Sequence, residues 1–261
     1  MGSETTTGRT LGSVGNAALL LDLLSMGPAY QQLTELAKQS GLSPSTVHRT
    51  LQSLRDAGLV EQSPDSLRYS LGPEIVRLSQ RYLMRLPVVQ AAAPYLVELR
   101  NVTKATIKVA LLVRGWVVYV DHVEGESMSV GTSRALYRVR SAFETAAGRV
   151  LLARANLDAW NQAIDVAAAQ GPTHHRNLES RGYTQEDRSA WARSPYLVLA
   201  EPHSPGIVEV AVPITDQRNH VLASLSASAR RESFVEETVA DWIVPQLLRA
   251  AYAVGQAVAP P

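Results

Sequence analysis

The stretch Leu33–Leu71 reads LTELAKQSGLSPSTVHRTLQSLRDAGLVEQSPDSLRYSL, and the order of signals within it decides the N-terminal fold. Leu33, Leu36 and Ala37 recur at helical spacing. Gly41 ends that helix where a left-handed residue is wanted, and Leu42 folds back as the apolar contact that accompanies such a stop. Ser43 is a helix N-cap, and Pro44 fits the first turn, where a missing N–H does no harm. Val47, Leu51 and Leu54 then make one buried stripe, with Ser45, Thr46, His48, Arg49, Gln52 and Ser53 on the opposite face. Gly58 closes the helix, and Leu59–Gln62 and Leu67–Leu71 flank the turn Ser63–Ser66 as two short strands. Helix, turn, helix and small hairpin in that order predict a winged helix-turn-helix, whose second helix is shaped to enter a DNA major groove.

Working outward, Ser13–Met26 carries a stripe of Ala17, Leu20, Leu21 and Leu24 that completes a three-helix core. The candidate DNA contacts are Ser43, Ser45, Thr46, His48, Arg49 and Gln52 on the second helix, which can donate to phosphates or base edges. Gln32 and Thr34, at the start of the preceding helix, are placed to hold phosphates, and Arg68 in the wing reaches a backbone or minor groove.

A chain of 261 residues is long enough for two domains. Its net charge of +1 neither supports nor excludes nucleic acid. Residues 1–86 hold eight Lys and Arg against seven Asp and Glu, so a single copy should attract phosphate only modestly. The absence of cysteine excludes disulfides, thiolate metal sites and a cysteine nucleophile. Ala17–Met26 is apolar but short and interrupted by Asp22, neither a membrane span nor a signal peptide, so the expected address is the cytoplasm, with no membrane partner. Residues 1–11 read as a disordered polar tail.

Gly72–Leu86 has helical periodicity and joins the two halves; Pro87 breaks it, and a second helix, Val88–Asn101, bears Pro94. Ala105–Arg114 and Trp116–Val123 make a hairpin around Gly115, and Ser127–Arg140 adds one or two strands. Helical stretches are expected at Glu144–Ala155, Leu157–Ala169 and Arg176–Arg181, and strands at Tyr196–Leu199, Ile207–Ile214 and Val221–Ala229. Glu232–Val258 reads as one long terminal helix containing Pro245. A sheet with helices on both sides is an α+β layout suited to binding a ligand.

No enzyme constellation survives inspection. Gly125–Ser129 comes near a nucleophile elbow but lacks its closing glycine, and there is no phosphate-cradling loop. His174 and His175 have no spaced partner, and Asp121 and His122 point to opposite faces of a strand. Core packing is the expected role of Trp116, Trp160, Trp191 and Trp242, with a pocket lid the alternative for Trp191. No cofactor and no metal are expected.

The whole chain from about Gly12 resembles the IclR family of bacterial transcription regulators. The resemblance rests on the helix-turn-helix string with Ser45–Arg49, on Arg68-Tyr69-Ser70-Leu71-Gly72, on Thr145-Ala146-Ala147-Gly148-Arg149-Val150-Leu151-Leu152-Ala153, and on Gly206–Ile214 with Ala223–Ser228. It implies a mixed α/β protein: a winged helix-turn-helix (12–72), a linker helix (73–86) and a C-terminal α+β GAF-like effector-binding domain (87–261). It also implies a homodimer, or a dimer of dimers, that binds double-stranded operator DNA under control of a small organic effector. The implied effector contacts are Phe143, Ala146, Ala147, Gly148, Ile207, Glu209, Ser226 and Ser228. A helix starting near Thr145 would turn its free N–H groups toward an anion. Ser226 and Ser228 share one strand face, which is either a ligand-binding face or a solvated one.

The sequence departs from the family pattern at Phe143, where histidine is frequent, at Glu144, which adds negative charge, and at Arg149, which replaces a lysine. Glu209 stands where many relatives have a pocket cysteine. A carboxylate there repels a small organic acid unless it is protonated or paired, so an effector with hydroxyl, amine or aromatic character is expected. Gly182–Pro205 reads as a long loop, which leaves open whether Asp187 or Glu201 fills an acidic pocket position. Two other classes stay open at this point: an enzyme or metabolite-binding protein with a vestigial winged helix, and a protein-interaction module.

Overall fold

The computed structural model describes residues 12–126, 139–169, 183–200, 206–234 and 239–258. The chain divides into two compact units, Met1–Leu83 and Met84–Pro261.

In the first unit, α1 (Ser13–Met26), α2 (Leu33–Ser40) and α3 (Pro44–Asp56) precede the strands β1 (Val60–Gln62) and β2 (Tyr69–Leu71). Gly41 takes φ +67°, the left-handed stop that frees the chain to turn from α2 into α3. Ser43 caps α3 by accepting from the Thr46 N–H at 3.2 Å, with Pro44 in the first turn. Leu20, Leu24, Leu36, Val47, Leu51, Leu54, Val60 and Tyr69 form its closed core. Gln31 pairs with Tyr69 through two backbone hydrogen bonds and ties the entry of α2 to the hairpin. The second wing strand starts at Tyr69 rather than at the expected Leu67, because Leu67 sits at φ +56°, which no ladder accommodates. α4 (Glu74–Leu83) is shorter than the expected Gly72–Leu86 and has no buried residue.

The second unit is built on a six-stranded sheet in the order β5-β4-β3-β8-β7-β6. Its strands are β3 (Thr106–Val113), β4 (Trp116–Val123), β5 (Arg140–Ser141), β6 (Leu197–Ala200), β7 (Ile207–Thr215) and β8 (Val221–Arg230), and every pairing is antiparallel. Alternation sorts each strand onto two faces. Ile107, Val109, Val210, Val212, Leu225 and Ala227 pack on α5 (Pro87–Thr103) and the terminal α9 (Val244–Ala257). The opposite face carries Lys108, Ala110, Glu209, Ala211, Ser224 and Ser226. It lies under α6 (Ala146–Arg154), α7 (Leu157–Ala169) and α8 (Gln185–Arg193).

Three expectations change in the second unit. Pro87 opens α5 instead of standing outside it: Leu86 before it is extended, and proline suits a first turn. The helix then runs unbroken past Pro94. Gly182–Pro205 is not a loop throughout: beside the strand expected at Tyr196–Leu199, present as β6, it contains the helix α8. The long terminal helix is instead a 3-10 turn (Arg231–Ser233), a π-helical turn (Val239–Ile243) and then α9, with Pro245 in its first turn, where no N–H is needed. The expected strands within 127–138, the helix Arg176–Arg181, His174, His175 and Glu201 lie outside the described residues.

Candidate effector site and DNA-reading face

The first candidate site follows from α6. Thr145 is its N-cap and accepts from the Gly148 N–H at 2.9 Å, so one of the helix's free donors is satisfied locally. The next donor, the Ala147 N–H, points to Glu209 on β7 and donates to its Oε2 at 3.2 Å. Glu209 Oε1 accepts from Tyr119 Oη at 2.9 Å and from Ser226 Oγ at 3.0 Å, and it pairs with Lys108 Nζ at 2.8 Å. Lys108 and Glu209 are 1% and 0% exposed, so this is a buried ion pair.

Strand register brings these groups together. Lys108 on β3 lies opposite Ser226 on β8, which lies opposite Ala211 on β7, while Glu209 lies opposite Ser228. The ammonium, hydroxyl and carboxylate therefore occupy neighbouring squares of one sheet face. Burial pushes the Glu209 carboxyl up. The charge and hydrogen bond of Lys108, the Ala147 amide and the Tyr119 hydroxyl together outweigh that, and hold it below its ordinary value. The Lys108 ammonium also lies 4.5 Å from the centre of the Tyr119 ring.

The other expected effector residues fall in distinct places. Ala146 and Ala147 are fully buried under the sheet, and Ser226 and Ser228 are likewise at 0%, so their strand face is not solvated. Gly148 is a packing residue. A Cβ there would lie 2.2 Å from the Ala142 carbonyl oxygen, and only glycine lets α6 approach that strand end. Ile207 is buried at the start of β7. Phe143 is 1% exposed and stacks on Tyr183 at 4.6 Å, with Trp160 edge-on at 5.2 Å. Trp191 joins this cluster from α8, 5.6 Å from Tyr183 and 5.9 Å from Trp160. Arg149 spans it, donating to the Phe143 carbonyl and to Tyr183 Oη, each at 2.9 Å. Asp187 closes a capping box with Thr184 at the start of α8 and so serves that helix.

Lys108 and Tyr119 were not among the residues singled out from the sequence. A signal was present for the first: Lys108 interrupts the apolar run TIKVALLV, on the strand face that a lysine reaches only with a partner.

The second candidate site is the exposed side of α3. Ser43, Ser45, His48 and Arg49 are exposed there and Thr46 is half-buried. The hydroxyls of Ser43, Ser45 and Thr46 interact at 3.0 and 2.9 Å, so the cap organises the helix's leading edge. Gln52 accepts from Arg55 at 2.8 Å, and Arg55 also donates to Gln62 of β1 at 2.9 Å, linking α3 to the wing. Gln32 and Thr34 are exposed at the start of α2, and Arg68 is exposed in the wing turn. No described helix is long and apolar enough to cross a membrane.

Comparison with known proteins agrees with both halves of this architecture. The chain matches the IclR helix-turn-helix domain over residues 13–64 and the bacterial transcriptional regulator IclR C-terminal domain over residues 80–256. It is 28% identical to the HTH-type transcriptional regulator XynR of Escherichia coli, over 95% of this chain and 98% of the relative. The crystal structure of an IclR family transcriptional regulator from Brucella abortus has the same fold, with a TM-score of 0.76 at 21% identity, covering 99% of this chain and 97% of that one. An IclR homologue from Microbacterium hydrocarbonoxydans, solved with 4-hydroxybenzoate, superposes with a TM-score of 0.67 at 19% identity, covering 94% and 98%. With both domains matched in order along nearly the full length, the chain belongs to the IclR family of bacterial helix-turn-helix transcription regulators.

Proposed function

We propose that the chain binds a near-palindromic operator as a homodimer or a dimer of dimers, with α3 of each copy in successive major grooves, and that a small organic effector in the second unit controls that binding. The observation that carries the reading is α3 itself. A serine-capped helix buries Val47, Leu51 and Leu54 and leaves Ser45, His48 and Arg49 exposed beside a wing bearing Arg68. The polar face is short at its leading edge, which lets backbone and side chains approach base edges. Dimerisation is supported by α4, whose Val76, Leu78 and Tyr82 are exposed while none of its residues is buried in its own unit. The effector reading is supported by the buried polar cluster around Glu209, and by the fold relative that holds 4-hydroxybenzoate.

The test is binding of the full-length protein to a duplex it selects from a random library, compared with Arg49→Ala. Loss of a base or phosphate contact should weaken binding by about 1–3 kcal/mol, roughly 5–150-fold. Unchanged affinity overturns the docking of α3. The binding constant should also fall steeply as salt rises.

A further inference from the structure

The Glu209 carboxylate is held as a bound carboxylate ligand would be held. It receives an ammonium, a phenol, a hydroxyl and a helix N-terminal amide, at 2.8, 2.9, 3.0 and 3.2 Å. We infer that Glu209 is a tethered occupant of an anion cradle, so that this site rejects acidic ligands and takes an uncharged compound bearing a hydroxyl or carbonyl group. The inference rests on reading this cluster as the effector site.

Three observations carry it. Four donors already converge on Glu209, three on Oε1 and the Ala147 N–H on Oε2, so what remains is one acceptor position on Oε2, which a ligand hydroxyl can fill and a second carboxylate cannot. The cluster is also electrically balanced. A second anion would meet the charge of Glu209 with its counter-ion already paired, and a cation would meet Lys108 at the same disadvantage. Either brings an uncompensated charge to a place where Glu209, Ser224, Ser226 and Ser228 are all at 0% exposure, and the cost of that is high. A neutral ligand avoids it. Finally, the Ser224 hydroxyl is buried without a hydrogen-bond partner among the described residues, two positions from Ser226 on the same strand face. A ligand hydroxyl or carbonyl within reach answers that group, while the paired Lys108 and Glu209 are what disfavour a charged one.

The balance of Lys108 against Glu209 also removes the amine from the ligand classes that the Glu209 carboxylate alone would have allowed. Removing the acid should open the cradle to a free carboxylate.

The experiment is chemical rescue in the full-length protein, using sodium acetate against sodium chloride at matched ionic strength, read by thermal unfolding. Wild type should show no acetate-specific shift. Glu209→Ala should melt lower in chloride and recover saturably in acetate, by about 5–10 °C at a hundredfold excess over Kd. Formate should act similarly, and acetamide, which has the same shape without the charge, should not. Saturable stabilisation of wild type by acetate or glycerate overturns the inference, and so does a Glu209→Ala protein indifferent to acetate. If Glu209→Ala does not fold in chloride, refolding from urea in each salt decides: recovery confined to acetate supports the cradle, and equal yields refute it. Operator binding by the acetate-loaded variant separates the two levels. Rescue without any change in operator affinity keeps the cradle and removes its effector role, whereas absent rescue removes the cradle and leaves the regulator reading intact.

Discussion

Replacing Lys108 by methionine isolates the electrostatics of the buried pair. The side-chain volume is roughly kept, but the carboxylate 2.8 Å away loses its counter-ion. Breaking one partner of a buried ion pair costs about 3–5 kcal/mol. For a unit of this size that lowers the melting temperature by about 6–20 °C. The pH dependence gives a sharper signature. In wild type the Glu209 carboxyl lies below its ordinary value, so its stabilisation is present above the unfolded-state value and disappears as pH falls through the lowered folded value. In Lys108→Met the opposing pull is gone and burial raises the same carboxyl. The folded variant then binds a proton that the unfolded chain releases, and its stability should fall as pH rises above the unfolded value, with a slope approaching about 1.4 kcal/mol per pH unit. Urea unfolding of both proteins between pH 5 and pH 8 measures this. The gap between them should widen with pH, and adding Glu209→Gln to Lys108→Met should narrow it at pH 8. A gap that is the same at both ends of the range would refute the assignment of an ionised, Lys108-dependent Glu209.

Further outcomes follow from packing and capping. Gly148→Ala should lower the melting temperature despite alanine's better helix propensity, because its Cβ meets the Ala142 carbonyl at 2.2 Å; overpacking of this kind costs about 1–3 kcal/mol. Phe143→Ala removes a ring stacked on Tyr183 and edge-on to Trp160, and should destabilise the second unit by about 3–5 kcal/mol in denaturant titration. Ser43→Ala deletes the α3 cap and should cost about 1 kcal/mol of stability in the first unit, with weaker operator binding measured by anisotropy.

The two units were legible to different degrees, and the difference has a physical cause. In the winged helix every decisive signal is local. The Gly41 stop, the Ser43 cap and the Val47–Leu51–Leu54 stripe act within a few residues, and the structure contains each of them. Where local signals were weak, the sequence reading missed. Helix α8 has no buried residue and hence no apolar stripe, so it read as loop; only its Thr184–Asp187 capping box announced it. The terminal helix was read as continuous because its periodicity carries on from Glu232 to Val258. Its start, Arg231–Ser233, is a 3-10 turn instead, and the helix described from Val239 opens with a π-helical turn that runs directly into α9.

By itself, the sequence determined the class of the protein, because a helix-turn-helix is written in caps, turns and helical periodicity that chain neighbours enforce. It also placed a carboxylate at position 209 and marked it as out of keeping with an anion site. Only the tertiary structure decided what that carboxylate does. Its partners Tyr119 and Ala147 stand 90 and 62 residues away, and Lys108 reaches it across β8. Antiparallel register alone turns Lys108, Ser226 and Glu209 onto one face, and a one-residue slip of any of those strands would send its side chain to the opposite, apolar face. Whether Glu209 is a repelling charge or half of a neutral, buried pair is therefore a property of sheet pairing, which no local pattern in the chain encodes.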